Sequence, residues 1–410
     1  MKAIKMVEGI YRVGANIENG DMFEGMWPIP NGVSLNCYLV KGEKTALIDL
    51  VRDWDGAPLT IKEQLESIHV SFKKIDYLVL NHLEPDHTGW LRDFIYENPG
   101  IEIITTKKGA ALAKAFSGLT DNIRVVVSGD TLDLGKGKEF VFYEIPNVHW
   151  PETMATFEKN SKILFSCDAF GSYGSIGSAV FDDELSQEDH EFFYKEALRY
   201  YANIVSTFSS FVLKAIDKLK DLDIKMIAPS HGIIWRENPG KVVSLYKDFA
   251  SYMDGPAEAE ITVIWGSMYG HTEQVLNSVV KGIRSENIPV HIHRVPDEDV
   301  SWALADAWKS TGLVFGMPTY EYKMFPPIVY ALDVFGIKHV WNKKVFRFGS
   351  WGWSGGAQKD FEARTEKLRW DFIDPVEWNG YADEEVHKLA FGRGKELAIL
   401  VKETASKKAD

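Results

Sequence analysis

The first part of the chain alternates short apolar runs with polar turns. Up to about residue 250 this pattern predicts many short strands in two groups, with helical periodicity at residues 60–69, 88–97 and 187–219. Two groups of strands accompanied by a few helices are typical of stacked sheets covered by helices. We therefore expect an α+β sandwich in this part.

The second part has a different rhythm. From residue 261 onward, apolar strands alternate with helical patterns, as expected of a five-stranded, doubly wound parallel sheet. Residues 253–260, between the two parts, are mostly polar or small and contain glycine and proline, which predicts a linker. A chain of 410 residues with 45% hydrophobic content can form two well-buried domains, and we place them at residues 1–254 and 255–410.

Four potential metal ligands occur within one short segment, directly after an apolar run that predicts a buried strand. They are His82, Glu84, Asp86 and His87. Pro85 helps to fix the turn that would present them. A histidine or an aspartate at such a place can instead cap the following helix. Two histidines and two carboxylates spaced so closely favour a metal site.

Three further candidates follow predicted strands later in the chain: His149, Asp168 and His231. Strands of one scaffold can bring their ends to a common rim, so these side chains could join the first four. A single histidine after a strand is more often a structural residue. Three such positions together with the first segment favour a shared site.

The second part contains a turn suited to a phosphate group. A predicted strand at residues 261–265 leads into a turn rich in glycine and hydroxyl groups, and then into a helix, so unpaired N–H groups can point at an anion. The turn lacks the lysine of a nucleoside-triphosphate loop, and by itself it could be a plain connection. Its candidate binding residues are Ser267, Met268, Tyr269, Gly270, His271 and Thr272.

Two later strand ends carry aromatic residues and glycines. An open parallel sheet binds ligands at the carboxyl ends of its strands, so these loops could hold a planar aromatic cofactor or simply pack on the core. Three such loops in series resemble flavodoxin, and this resemblance implies FMN. FAD and NAD are disfavoured because the G-x-G-x-x-G fingerprint of dinucleotide binding is absent from the sequence. The candidates are Pro318, Thr319, Tyr320, Ser350, Trp351, Gly352, Trp353, Ser354 and Gly355.

The metal motif resembles that of the metallo-β-lactamase superfamily, in which H-x-H-x-D-H is followed by later His, Asp and His residues. Glu84 stands where the zinc hydrolases have their second histidine, and mixed histidine and carboxylate ligation suits iron or manganese better than zinc. With the three flavodoxin-like loops, the chain resembles the flavodiiron proteins over essentially its whole length. The resemblance implies an α/β protein with an α+β N-terminal part: an αββα metallo-β-lactamase-like sandwich followed by a flavodoxin-like doubly wound parallel sheet.

The resemblance also implies a role for each metal ligand. One iron would be held by His82, Glu84 and His149, the other by Asp86, His87 and His231, with Asp168 bridging the two. Whether His87 ligates in every state stays open. Tyr194 and Trp150 could support the ligands from behind, although aromatic residues more often serve to fill a core.

The reaction implied by the resemblance is the reduction of O2 to water, of NO to N2O, or of both. Electrons would come from a rubredoxin-type donor and pass through FMN to the diiron site. Because two scattered cysteines cannot build the four-thiolate iron site of a fused rubredoxin, the donor is expected on a separate chain. The resemblance further implies a head-to-tail homodimer, alone or as a dimer of dimers, in which the flavin of one subunit meets the irons of the other.

Composition narrows the setting of the protein. A net charge of −13 argues against a nucleic-acid ligand, which requires a basic face. The two cysteines, Cys37 and Cys167, lie in strand-like runs, so a reducing compartment is expected. There is no apolar stretch of membrane length and no signal-like N-terminus, which predicts a cytoplasmic protein without membrane attachment.

Two other classes of function stay open at this point. One is a zinc hydrolase of the same superfamily with an accessory second domain, against which Glu84 and the flavin loops argue. The other is an electron-carrying flavoprotein with a structural metal site, which the complete ligand set makes less attractive. Metal analysis together with a visible absorption spectrum separates the three functions. The sequence does not rank O2 against NO.

Overall fold

The computed structural model describes residues 2–18 and 20–407 of the chain. It divides into two compact units. The first comprises the chain up to Tyr201 together with Ser210–Lys247, and the second comprises Ala202–Ser209 and the chain from Asp248 onward. Within the described ranges, no helix is both long enough and apolar enough to cross a membrane.

The N-terminal part of the chain is built on two mixed sheets and a small hairpin. Its strands are β1 Ile4–Val7, β2 Ile10–Ile17, β3 Met22–Phe23, β4 Trp27–Pro28, β5 Val33–Lys41, β6 Thr45–Ile48, β7 Tyr77–Val79, β8 Glu102–Thr105, β9 Ile123–Val125, β10 Thr131–Gly135, β11 Lys138–Glu144, β12 Met154–Glu158, β13 Ile163–Cys167 and β14 Met226–Pro229. Its helices are α1 Ala57–Ser67, α2 Pro85–Thr88, α3 Leu91–Glu97, α4 Lys107–Ser117, α5 Gln187–Tyr200, α6 Ser209–Leu219 and α7 Pro239–Ser251. The strand orders are β1-β2-β5-β6-β7-β8-β9 and β10-β11-β12-β13-β14, and β3 pairs with β4.

The two sheets pack face to face around one apolar core. The ring of Tyr38 on β5 lies 5.0 Å from that of Phe165 on β13, and residues from both sheets are buried in the same cluster. On the other side of the first sheet, Gln64 of α1 exchanges hydrogen bonds with the backbone of Gly14 on β2. Helices α6 and α7 line a groove with β13 and β14 on the second sheet. The layers are therefore helix, sheet, sheet and helix.

The C-terminal part forms a parallel sheet between helices. Its strands are β15 Glu258–Trp265, β16 Val290–Arg294, β17 Ser310–Gly316, β18 Thr319–Tyr320, β19 Lys323–Met324, β20 Lys344–Trp351, β21 Asp371–Phe372 and β22 Val376–Asn379. Its helices are α8 His271–Arg284, α9 Val300–Lys309, α10 Pro326–Ile337, α11 Ala357–Thr365 and α12 Glu384–Ser406. The parallel order is β16-β15-β17-β20-β21, and β22 also pairs with β20, so two short strands share the fifth position. Strands β18 and β19 pair with each other in a separate antiparallel hairpin.

The helix predicted at residues 187–219 is interrupted. Helix α5 ends at Tyr200, a π-helical turn covers Tyr201–Val205, a 3-10 turn covers Ser206–Phe208, and α6 then begins. Residues 199–206 are all buried, whereas a regular surface helix buries only one face. The wider π turn changes the face that points inward, and π turns often mark functional sites.

Candidate metal centre and cofactor cavity

The segment after β7 presents four of the candidate ligands. Glu84 has an extended backbone (φ −60°, ψ 146°), and Pro85 then begins the short helix α2. The side chains of His82 and Glu84 therefore project from the backbone before the helix, whereas those of Asp86 and His87 project from its first turn. All four side chains are buried or nearly so.

The other three candidates come from the ends of further strands of the second sheet. His149 follows β11, and Asp168 follows β13 directly. The backbone N–H of Ser230 donates to the carbonyl of Cys167 at 2.8 Å, which holds the end of β14 beside β13 and brings His231 close to Asp168. Gly232 adopts a φ of +80°, and a Cβ atom there would lie 2.1 Å from Ser172 Oγ, so this turn requires glycine.

The seven side chains form two adjoining groups of ligand atoms, and within each group all atoms lie within 4.8 Å of one another. The groups are His82, Glu84, His149 and Asp168, and Asp86, His87 and His231. Asp168 connects them, because its Oδ2 lies 3.3 Å from His82 Nε2 while its Oδ1 lies 3.0 Å from His87 Nε2.

This arrangement fits cations better than it fits hydrogen bonds. The Nε2 atom of each of the four histidines faces two carboxylate oxygens at 3.0–3.4 Å, although one ring nitrogen carries at most one proton. Both carboxylate oxygens of Asp86, Oδ2 of Asp168 and Nε2 of His231 are buried and make no hydrogen bond within the described residues. Histidine nitrogens mixed with three carboxylates suit a pair of iron or manganese ions.

The electrostatics of the cluster agree with this fit. Burial by itself lowers the pKa of His82, but the neighbouring carboxylates, led by Asp168, outweigh burial and raise that pKa to about 10. The same balance raises the pKa of His231 to about 10 and the pKa values of His87 and His149 to about 9. In turn, the histidines outweigh burial and lower the pKa of Asp168. The metal-free cluster thus attracts positive charge.

Several residues around the cluster were not among the sequence candidates. Glu152 Oε1 lies 2.7 Å from Nδ1 of His82, and the backbone carbonyl of Ser34 lies 2.8 Å from Nδ1 of His231. The ring of Phe23 meets that of His231 edge-on at 5.4 Å, and the ring of Tyr200 lies 5.8 Å from it. The position of Glu152, three residues after His149, is a feature of the sequence that indicates a residue near the metal cluster. The sequence around Phe23 and Tyr200 contains no such feature.

The two aromatic candidates lie in different places. Trp150 meets the ring of His82 edge-on at 5.1 Å and lies 6.3 Å from that of His149. Tyr194 stacks on Trp235 at 6.2 Å with Lys241 over its ring, and the contacts found among the described residues do not join it to the metal cluster.

A cavity of about 350 Å³ opens at the carboxyl ends of β15, β17 and β20. Its lining residues are Ser267, Met268, Tyr269, His271, Pro318, Thr319, Tyr320, Glu321, Ser350, Trp351, Gly352, Trp353 and Gly380. Gly270, at φ +88°, precedes α8, and its N–H donates to Ser267 Oγ at 3.0 Å. Thr272, in the first turn of α8, is fully buried with Oγ1 3.5 Å from Ser350 Oγ.

The three predicted loops thus meet at one cavity. Four of the predicted binding residues are not among the described residues that line the cavity: Gly270, Thr272, Ser354 and Gly355. Two lining residues were not predicted, Glu321 and Gly380. Gly380 follows β22 at the shared fifth position of the sheet. Three aromatic loops, a helix N-terminus and buried hydroxyl groups suit a phosphate-bearing planar cofactor.

Comparison with known proteins identifies the family. The family described as ODP family beta lactamase matches residues 33–232, and the flavodoxin family matches residues 263–393. The anaerobic nitric oxide reductase flavorubredoxin of Vibrio vulnificus (strain YJ016) is 32% identical over 403 residues, which cover 97% of this chain and 80% of that protein. The chain belongs to the flavodiiron family.

Solved structures of flavodiiron proteins are similar along the whole chain. The rubredoxin oxygen:oxidoreductase of Desulfovibrio gigas superposes with a TM-score of 0.91 at 28% identity, covering 98% of this chain and 99% of that one. The flavodiiron protein of Giardia intestinalis has a TM-score of 0.92 at 26% identity, covering 99% and 98%. These similarities confirm the predicted fold class and oxidoreductase class. The flavodoxin match and the cluster of His, Asp and Glu residues confirm the predicted FMN and diiron chemistry of this flavodiiron chain.

Proposed function

We propose that this chain reduces O2 to water, NO to N2O, or both, with electrons from a rubredoxin-type donor. The observation that carries the proposal is the carboxylate of Asp168, whose two oxygens face different groups of ligand atoms in a chain that also has a flavodoxin-like cavity. The names of its relatives support the two substrates: one is a nitric oxide reductase and another a rubredoxin oxygen:oxidoreductase.

The proposed holders of the two irons are the seven clustered residues. His82, Glu84 and His149 would hold one iron, Asp86, His87 and His231 the other, and Asp168 both. A carboxylate shared in this way keeps two cations close enough to act on one diatomic molecule. The ring of Phe23 lies against His231 of one ligand group, and the ring of Trp150 lies against His82 of the other.

The proposed holder of FMN is the cavity at the strand ends. The hydroxyl of Thr272 and the N–H groups at the start of α8 would bind the phosphate. The aromatic rings of Tyr320 and Trp351, on two different loops, would flank the isoalloxazine ring. When bound, FMN accepts electrons from the donor, and the two irons supply the redox centre for O2 or NO.

We further propose a head-to-tail homodimer, alone or as a dimer of dimers, in the cytoplasm. The rim of the cavity exposes large aromatic side chains, with Tyr269 88% and Trp353 73% exposed, and an assembly would cover such a surface. Both cysteines are free, which agrees with a reducing compartment. The functional division that we propose within the chain is a diiron domain at residues 1–254 and an FMN domain at residues 255–410.

The substrate proposal is tested on the purified protein as isolated. Metal analysis, a visible spectrum and rates of O2 and NO consumption with a reduced rubredoxin are measured on one sample. We expect about two irons and one FMN per chain with turnover of at least one gas. Zinc without flavin would support a hydrolase instead, and flavin with little metal would support an electron carrier.

The dimer proposal is tested by mixing two inactive variants. Chains with Asp168→Ala are combined with chains unable to bind FMN, and the co-assembled species is isolated. In a head-to-tail dimer one pair of competent sites is restored, so activity returns to about half of the wild-type value per dimer. Co-assembly without any recovered activity would show that the two sites work within one chain.

A further inference from the structure

Glu152 joins the two loops that carry ligands of one iron. Its Oε1 accepts a hydrogen bond from the backbone N–H of Leu83 at 3.0 Å and lies 2.7 Å from Nδ1 of His82. The side chains of Glu152 and His82 are both completely buried. The carboxylate therefore contacts this histidine on the side opposite to the metal cluster.

The contact determines which nitrogen of His82 carries a proton. Nε2 of His82 faces the cluster, with oxygens of Glu84 and Asp168 each at 3.3 Å, so this atom must be free of a proton to bind a cation. Nδ1 then carries the proton and donates it to Glu152. Such a carboxylate fixes the tautomer and the orientation of the ring and makes the histidine a stronger electron donor.

The charge of Glu152 has little other compensation. Its Oε2 is buried and makes no hydrogen bond within the described residues, and the ion pair found there for Glu152 is the one with His82. In the other ligand group, the partner of His231 is neutral: Nδ1 of His231 lies 2.8 Å from the backbone carbonyl of Ser34. His82 and His231 therefore differ in the group next to Nδ1, which is a charged carboxylate for His82 and a neutral carbonyl for His231.

From this asymmetry we infer that Glu152 is a positioning residue that makes the two irons inequivalent. It orients His82, and its negative charge lowers the reduction potential of the iron held with His82 relative to the iron held with His231. The inference rests on the proposed function only for the identity of the metal. Orientation of His82 applies to any divalent cation at the same site.

A purely structural role predicts a different result for a conservative substitution. In Glu152→Gln the amide oxygen can still accept from Leu83 N–H and from His82 Nδ1–H, so the hydrogen bonds are kept and only the negative charge is removed. In Glu152→Leu the hydrogen bonds and the negative charge are both removed. Glu158→Gln is the matched control, because Glu158 is fully buried and accepts from the backbone N–H of Glu139 at 3.2 Å on the neighbouring strand, without contacting a histidine.

The test compares these holoenzymes with the wild type by redox titration followed with EPR and Mössbauer spectroscopy. We expect Glu152→Gln to keep its iron and FMN, to raise the potential of the mixed-valent iron pair, and to shift one of the two Mössbauer doublets while the flavin potentials stay unchanged. Glu158→Gln should change neither. An unchanged iron potential and unchanged doublets in Glu152→Gln would overturn the charge role.

A second measurement does not depend on iron. Metal-depleted proteins are titrated with Co2+, followed by its visible absorption, and we expect affinity to fall about 10–100-fold in Glu152→Leu and less in Glu152→Gln. Equal Co2+ affinity and an equal spectrum in both variants and in the wild type would overturn the positioning role. A wild-type protein that contains zinc alone would contradict the proposed function, yet the Co2+ result would still decide the role of Glu152.

Discussion

Oδ1 of Asp168 lies 3.0 Å from Nε2 of His87, although Asp168 follows β13 of one sheet and His87 lies in α2, after β7 of the other sheet. Oδ2 of the same carboxylate lies 3.3 Å from Nε2 of His82. The two other clustered carboxylates, Glu84 and Asp86, each contact only histidines of their own group in the ion pairs found among the described residues. Asp168 is thus the residue on which both proposed iron positions depend.

Replacement of this residue should remove both irons together. We expect Asp168→Ala to lose most of its iron and to lower gas consumption at least about 100-fold, because each cation loses an anionic ligand. The FMN spectrum should be unchanged. Iron analysis and absorption spectroscopy check this, with Asp306→Asn as a control, since Asp306 pairs with His293 at 2.8 Å outside the cluster. Normal iron content in Asp168→Ala would refute the bridging assignment.

The identity of residue 84 should decide which metal is preferred. Glu84→His replaces an anionic oxygen with a neutral nitrogen and recreates the histidine pattern of the zinc hydrolases. After reconstitution with equal amounts of Fe2+ and Zn2+, we expect a higher zinc-to-iron ratio than in the wild type and loss of reductase activity. Glu84→Asp, which keeps the carboxylate, should retain the wild-type preference. An unchanged ratio in Glu84→His would show that Glu84 does not select the metal.

The metal-free protein should lose stability as the pH rises. The pKa of His82 and of His231 is raised to about 10, above the ordinary value near 6.5, so protonation favours the folded state. Their contribution is full below about pH 6.5 and is lost between there and about pH 10, at up to about 1.4 kcal/mol per pH unit for each histidine. Thermal melts from pH 6 to 10 check this. In the metal-loaded protein the ligand histidines are already neutral, with a proton on one ring nitrogen only, so its melting temperature should not show the same decline.

The buried hydroxyl of Thr272 should contribute to flavin affinity. Thr272→Val keeps the shape of the side chain but removes the hydrogen bond to the phosphate, which costs about 1–3 kcal/mol when the bond is charge-assisted. The FMN dissociation constant, measured by flavin fluorescence, should rise accordingly. Thr365→Val is the matched control, because Thr365 is equally buried and its hydroxyl donates to the backbone of Phe361 at 2.8 Å. If both substitutions weaken FMN equally, the effect is one of folding.

Arg347 should stabilise the segments that surround the flavin cavity. Its guanidinium group is buried and pairs with Glu377 at 2.8 Å, Gln358 at 3.3 Å and the carbonyl of Met317 at 3.4 Å, which belong to three segments around the cavity. Arg347→Met should lower the stability of the protein by about 1–3 kcal/mol and weaken FMN binding, because the buried hydrogen bonds of the guanidinium group and its ion pair with the partly exposed Glu377 are lost. Chemical unfolding and FMN titration measure both effects. Arg347→Lys retains the charge and should recover part of the stability; equal losses in both variants would contradict the electrostatic reason.

Local sequence determines the strands of this protein, its candidate metal ligands and its fold class. Strands such as Ile163–Cys167 were predictable because an apolar run and its polar boundary lie within a few residues of each other. The candidate ligands were predictable because each follows such a run, so knowing where a strand ends also shows where its next side chain emerges. The order of a metal motif followed by three flavin-type loops was likewise visible, and it was enough to predict the family and the fold class.

Only the tertiary structure decided the relationships between distant segments. The division of Asp168 between two groups of histidines, the contact of Glu152 with His82 and the three partners of Arg347 depend on which strands become neighbours. The interruption of the helix at Tyr201–Val205 depends on packing as well, because residues 199–206 are all buried and do not fit on one face of a regular helix. Sequence periodicity reports which face of one element is apolar, whereas these contacts follow from sheet pairing and layer packing, which no single segment specifies.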